Sequence, residues 1–296
     1  MDSISTHAPD FFTSDKAEST KAIARSFGNR VLSVICVTLS LLTLVPLLSI
    51  IYLVLKNGLP LLNWSVFTEL PPAAGMVGGG FGNAVLGTLV MVGLGLVMSA
   101  PIGILSAIYI NEYDPAGRLS QAVRIVAKLL TGIPSIICGV FAFAVVVANT
   151  GAFSAYAGGV ALAVLMLPTI LLTSEQALMG VQNAYREASY GLGATKFQTI
   201  VRVVLPDALP AIMTGIMLAV ARAAGETAPL IFTALFSQFW AKSLSEPTAS
   251  LSVLIYNFST VPFPHQIQMA WTASLVLVAF VTLANITAQL VFSKKH

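Results

Sequence analysis

Two charged residues stand inside an apolar run that should carry none. Arg222 and Glu226 fall within Ala221-Arg222-Ala223-Ala224-Gly225-Glu226-Thr227-Ala228-Pro229, in the interval from Asp207 to about Phe236 that otherwise reads as a membrane span. A charge at the bilayer centre costs about 2.5–3.5 kcal/mol on insertion scales. A helix starting near Ala211 would put Arg222 about 16 Å along its axis, close to that centre. Four residues apart, the two side chains share a helical face and offset one another. Neutralisation explains why they coexist and not why either is present. The chemistry they offer is anion handling. A guanidinium is a planar, permanently charged fork suited to a tetrahedral oxyanion. Glu226 would hold that fork and release it when the anion arrives, with Thr227 alongside in the same substrate pathway.

A second constellation lies in water. The stretch from Glu175 to Asp207 contains Tyr185-Arg186-Glu187-Ala188-Ser189-Tyr190-Gly191-Leu192-Gly193, continues Ala194-Thr195-Lys196-Phe197 and ends Arg202-Val203-Val204-Leu205-Pro206. It predicts two short helices separated by glycines. Thr195 is placed to cap the second and Pro206 to stop it. Phe197, Ile200, Val201 and Val204 recur at helical spacing and form an apolar stripe that must bury itself against the membrane surface or a partner.

The elements that position these residues follow from composition. Of 296 residues 56% are hydrophobic and 9% charged, against about 25% charged in soluble domains, so the solvent is a membrane. Charge-free intervals of about 20 residues or more mark the spans. One runs from Arg30 to Lys56, and a second begins near Asn83. Two more lie between Lys128 and Glu175, with a turn at Asn149-Thr150-Gly151. A fifth follows Asp207, and a sixth covers about Gln268 to Phe292. Apart from Arg222, the basic residues outside the spans gather on one side, leaving Lys56 and Lys242 on the other, which predicts both termini in the cytoplasm. The first apolar stretch exceeds the h-region of a secretory signal and reads as an uncleaved anchor. Pro101, Pro134, Pro168 and Pro229 interrupt four spans, as in bundles packed through small residues or built to move.

Other motifs exclude functions. Gly78-Gly79-Gly80-Phe81-Gly82 has no Gly-Lys-Ser/Thr after it and falls on the outer side, so it is not a nucleotide loop. Cys36 and Cys138 lie in apolar runs, and His7, His265 and His296 lie far apart. No metal site is expected.

The loop spacing resembles the EAA motif of ABC-importer permeases: Glu187, Ala188, Gly193, Leu205 and Pro206 match, with Ser189 for the second alanine and Val203 for an isoleucine. The resemblance implies a coupling helix docked on a cytoplasmic ATPase. Gly132-Ile133-Pro134-Ser135, Gly79-Gly80-Phe81-Gly82-Asn83, Pro101-Ile102-Gly103 and Arg222 through Leu235 are similar to the corresponding stretches of Pst phosphate permeases. The Thr227-Ala228-Pro229 continuation is nearer the A-type than the C-type subunit. This likeness runs from about Gly78 to Phe258.

The expected fold is therefore an all-α integral membrane protein of six spans, with type I importer architecture. A cytoplasmic segment occupies 1–30, and a permease domain occupies 31–296 with its coupling loop at about 176–207. The resemblance implies a bacterial inner-membrane location and passage of phosphate past Arg222. It implies a second, C-type permease subunit, two copies of an ATPase and an extracytoplasmic phosphate-binding protein as partners. Lipid surrounds the spans, and no nucleic acid is involved. No cofactor is expected on this chain, since ATP would belong to the ATPase. An importer for sulfate or molybdate, an ion-gradient-driven carrier, and a non-transporting subunit are the alternatives. The segment 248–260 is expected to be a re-entrant or interfacial helix.

Overall fold

The computed structural model describes residues 11–292. His7, His296, Lys294 and Lys295 lie outside the described residues. Contacts divide the chain into two units, Met1–Leu53 and Val54–His296. The first unit is the greater part of helix α1 (Phe11–Gly58), which carries the first apolar span within Leu32–Leu61.

The second unit is built entirely from helices among the described residues. After the single-turn α2 (Ser65–Thr68), the long helix α3 (Gly82–Ile108) opens at the predicted second span. The amphipathic α4 (Arg118–Thr131) precedes α5 (Ser135–Ala142) and the short α6 (Ala148–Thr150). Next come α7 (Ala155–Met179), α8 (Asn183–Gly191), α9 (Lys196–Thr199) and α10 (Leu205–Ala224). The chain ends with α11 (Ala228–Ile231), α12 (Leu251–Ser259) and α13 (Pro264–Phe292). Three π-turns are continuous with these helices, at Tyr109–Tyr113, Phe143–Val147 and Ile200–Val204.

Among the described residues, five helical stretches are long and apolar enough to cross a bilayer, and the bent pair Arg118–Thr131 and Ser135–Thr150, counted as one span, makes a sixth. The bend measures 106°. The stretch Ser135–Thr150 lies within the interval from Lys128 to Glu175, as expected. The bend corrects one expectation. Pro134, expected inside that span, stands at its N-terminal boundary, where a missing N–H costs nothing. Pro101 and Pro168 are interior to α3 and α7 as expected. Gly151, with φ of 69°, makes the turn that follows.

Helix α7 is the centre of the second unit. Small residues let α3 lie close along it, Gly95 facing Leu162 and Gly103 facing Ile170. Met91, Leu162, Met166, Ile170, Ile212 and Ala223 are buried between α3, α7 and α10. A second core gathers Phe81, Leu251, Leu254, Phe258 and Met269 around α12. The segment expected to be re-entrant or interfacial is thus a short helix with its apolar side buried. Ser250 caps α12 by accepting from the Val253 N–H, and Ser154 caps α7 in the same way.

The fifth span departs most from expectation. Its helix does not begin near Ala211. It runs unbroken from Lys196 through the π-turn to Ala224, and Pro206 does not stop it. Proline removes an N–H and its ring crowds the preceding turn. The widened Ile200–Val204 turn admits Pro206 at the start of the following α-helical segment. At the other end, Gly225 and Pro229 break the helix before Phe236. Arg222 therefore sits in the last turn of α10, about 26 Å from Leu205, and not in mid-helix.

Candidate functional site

Arg222 and Glu226 remain partners across that break. Arg222 Nε and Glu226 Oε1 are 3.6 Å apart, with the arginine side chain 44% exposed and the glutamate 17%. The guanidinium is held loosely and stays partly exposed. Thr227 opens α11 directly after Glu226, and its side chain makes no capping bond. Of the three expected pathway residues, Arg222 and Glu226 are paired, and Thr227 is their neighbour in sequence.

The surrounding backbone is fixed more firmly than the side chains. The Ser252 hydroxyl donates to the Glu226 carbonyl at 2.8 Å, and Ser252 Oγ lies 3.2 Å from Ser250 Oγ. The Leu251 N–H donates to Thr88 Oγ1 at 2.9 Å, tying α12 to α3. Gly139 of α5 meets α11 so closely that a Cβ there would lie 2.5 Å from Pro229 Cα. The broken end of α10 is thus clamped by α5, α11 and α12 while Arg222 stays accessible.

The aqueous loop is a helix, a tight turn and a second helix. Helix α8 ends in a Schellman motif: Ala194 N–H donates to Ser189 O at 3.2 Å and Gly193 N–H to Tyr190 O at 2.9 Å. Gly193 takes the left-handed position with φ of 80°. Thr195 then forms a capping box with Gln198, as its placement predicts for the cap. Glu187 and Ala188 are exposed, while Ser189 turns inward, its Oγ 2.9 Å from Thr199 Oγ1. Leu205 and Pro206 lie where the π-turn joins α10. The expected apolar stripe divides: Ile200 and Val204 are buried, whereas Phe197 and Val201 face outward because the π-turn shifts the helical phase. With Tyr185, Tyr190 and Leu192, which is 91% exposed, they give this loop a broad apolar surface.

Two ion pairs brace the loop and the span ends beside it, and no motif in the sequence marks them. Arg186 Nη2 lies 2.7 Å from Glu112 Oε1 and donates to the Leu178 carbonyl at 2.9 Å. Its Nη1 donates to the Val181 carbonyl at 2.7 Å. One side chain therefore caps the end of α7 and fastens α8 to the end of α3. Arg124 pairs with the buried Glu175 and donates to the Ile110 and Pro115 carbonyls. Partners 51 and 74 residues apart leave no spacing signal. Among the described residues, no three of His, Cys, Asp or Glu gather to hold a metal ion.

This arrangement is a multi-span helical scaffold with a charged break in one span and a braced loop in water. The family described as binding-protein-dependent transport system inner membrane component matches residues 99–295. The chain belongs to that family and is a multi-pass inner-membrane protein. Among its relatives is the phosphate transport system permease protein PstA of Yersinia pestis, 38% identical over 90% of this chain and 90% of the relative. The protein of the same name from Haemophilus influenzae is 38% identical over 83% of this chain and 87% of its own length. PstA 1 of Mycobacterium tuberculosis (strain CDC 1551 / Oshkosh) is 34% identical over 91% and 90%. In fold, the chain is similar to a bacterial ABC transporter for import of the acidic polysaccharide alginate, with TM-score 0.60 and 19% identity over 94% of this chain and all of the other. A chain of the MetNI methionine ABC transporter aligns with TM-score 0.56 and 21% identity over 71% of this chain and 91% of its own.

Proposed function

We propose that this chain is the transmembrane permease subunit of an ATP-driven phosphate importer and forms half of its translocation pathway. The observation that carries the reading is the accessible Arg222, held by Glu226 at a helix break, in a chain 38% identical over most of its length to a phosphate permease. The guanidinium supplies charge and paired N–H donors to an oxyanion that leaves water. Glu226 competes for the same donors, so the arginine returns to its partner when the anion departs.

ATP would act outside this chain, whose glycine run 78–82 lacks the Gly-Lys-Ser/Thr of a nucleotide loop. A cytoplasmic ATPase would seat on the exposed face around Glu187, Ala188, Tyr190 and Leu192. The bracing by Arg186 and Ser189 would then pass its motion into α3, α7 and α10, the spans responding by alternating access. One coupling loop on this chain calls for a second permease half; the resemblance to Pst permeases implies that it is the C-type subunit, with two ATPase copies and a phosphate-binding protein delivering substrate from outside.

Labelled-phosphate uptake in cells lacking this chain tests the reading. Wild type should restore uptake that sulfate and molybdate do not compete away. Arg222→Gln, assembled in the membrane, should lose about tenfold or more, the worth of charge-assisted hydrogen bonds. Wild-type uptake through the assembled variant would overturn the role of Arg222. Failure of wild type to restore phosphate uptake would overturn the substrate.

A further inference from the structure

Helix α4, between the end of α3 and the 106° corner, has three different sides. One is packed against the bundle. Ser120 and Ala127 are buried there, and Arg124 pairs with Glu175. The second is apolar and exposed. At about 100° per residue, Ile125, Leu129, Ala122, Val126 and Leu119 fill an arc of about 120° away from the packed side. All five are exposed, Leu129 at 65%. The third is polar, with Gln121 and Lys128 exposed beside the arc. Arg118 opens the helix at the arc itself, and side chains lean toward the N-terminus, so its long stem can leave past the helix end.

Two observations set the level of this helix. The corner leaves α4 close to perpendicular to Ser135–Thr150, so where that stretch crosses the bilayer α4 runs near the membrane plane. Tyr109 and Tyr113 stack at the end of α3 with ring centroids 6.4 Å apart, both exposed. Tyrosines so placed mark the membrane–water interface. Arg124 fastens α4 to the Ile110 and Pro115 carbonyls, in and just after the same turn. Helix α4 therefore lies at interface depth, over a length of about 21 Å. Charge then selects what covers the arc. Residues 118–131 hold Arg118, Arg124 and Lys128 and no acidic residue. Glu175 offsets Arg124, which leaves two positive charges at the arc. The cytoplasmic margin of a second permease half is itself biased toward lysine and arginine and would repel them. Anionic headgroups attract them, and acyl chains cover the apolar side.

We propose that α4 is an interfacial helix that docks on the anionic inner leaflet, with its apolar arc among the acyl chains and Arg118 and Lys128 among the phosphates. Through Arg124 the leaflet then steadies the ends of α3 and α7, whatever the cargo. The test uses the assembled complex in lipid nanodiscs, with Cys36 and Cys138 replaced by alanine and no other reactive thiol present. A fluorophore is attached at Val126→Cys, at Leu129→Cys or, as control on the polar side, at Gln121→Cys. Phosphatidylglycerol or phosphatidylcholine with a nitroxide on the acyl chain serves as quencher. Labels at Val126→Cys and Leu129→Cys should be strongly quenched and the label at Gln121→Cys spared. Half-quenching should need about fivefold less of the phosphatidylglycerol quencher than of the phosphatidylcholine one, the effect of one basic residue at a charged surface. Arg118→Gln with Lys128→Gln should bring the two quenchers level. Arc labels quenched no more than the Gln121→Cys label would mean that water or another chain covers the arc, and the docking would be overturned. Equal potency of the two quenchers with both basic residues in place would overturn the choice of anionic lipid.

Discussion

Arg186 Nη2 lies 2.7 Å from Glu112 Oε1, joining a loop helix to the end of a membrane span 74 residues earlier in the chain. The pair is largely buried, at 14% and 7% side-chain exposure, and the same guanidinium holds two carbonyls at the end of α7. Removing one partner leaves the other charge uncompensated. Glu112→Ala should cost about 3 kcal/mol, read as a lower melting temperature of the purified assembled complex. Replacing both residues by leucine should recover only part of that stability, because the Leu178 and Val181 carbonyls lose their donor. It should not recover coupling, because α8 would have lost its anchor. ATPase activity and uptake measured on the same preparation separate the two effects.

At Gly193 space is not the constraint, since a Cβ there would meet nothing within 4 Å. The constraint is φ of 80°. Gly193→Ala should cost about 1 kcal/mol, Gly193→Asn less and Gly193→Val more, because asparagine tolerates the left-handed region and β-branched residues do not. Co-purification of the ATPase with each variant should follow the same order. Equal retention across the three would show that the turn is not needed for docking.

Gly139 poses the opposite case. Its Cβ would lie 2.5 Å from Pro229 Cα, backbone against backbone. Gly139→Ala must push α5 from α11 and loosen the clamp around the Arg222 break, at a cost of about 1–3 kcal/mol. Uptake should fall while the ATPase still co-purifies, since the loop lies elsewhere. Loss of the ATPase instead would refute the separation of clamp and loop.

Ser189 and Thr199 brace the two loop helices through buried hydroxyls 2.9 Å apart. Ser189→Ala alone strands the Thr199 hydroxyl and should cost about 1–2 kcal/mol. Adding Thr199→Val should return stability close to wild type, because an apolar pair of similar shape leaves nothing unsatisfied. A thermal-melt double-mutant cycle on the complex measures the coupling directly.

What could be read from the sequence was local. Thr195 announces a cap, Gly193 a turn, and Arg222 with Glu226 an unusual charge pair, each through chemistry completed within a few residues. The spans were readable because absence of charge over 20 residues needs no partner to interpret. The braces were not. Arg124 and Glu175 find each other only after α4 folds back on α7; in sequence Glu175 merely bounds an apolar run, and Arg124 is one more basic residue on the cytoplasmic side. The extent of the fifth span is not legible in the sequence, because Pro206 reads as a stop. The one-residue slack that lets the helix pass it is a backbone property with no residue signature. Pro134 was misread for the complementary reason: a proline at a helix start and one at a kink look alike until the 106° corner is seen.

The widened turn at Ile200–Val204 has a consequence for descent. Its i-to-i+5 bonds enclose one residue more than an α-helical turn. The extra residue is absorbed on the spot, so the docking surface before it and the arginine face after it keep their relative bearings. A cousin of this chain one residue shorter across 200–204 would run as plain α-helix and still present the same two faces. Loss of a single residue, ruinous in a plain packed helix, can be absorbed at this turn as at the two other π-turns, and the length between the loop face and the Arg222 face can drift without a change of aim.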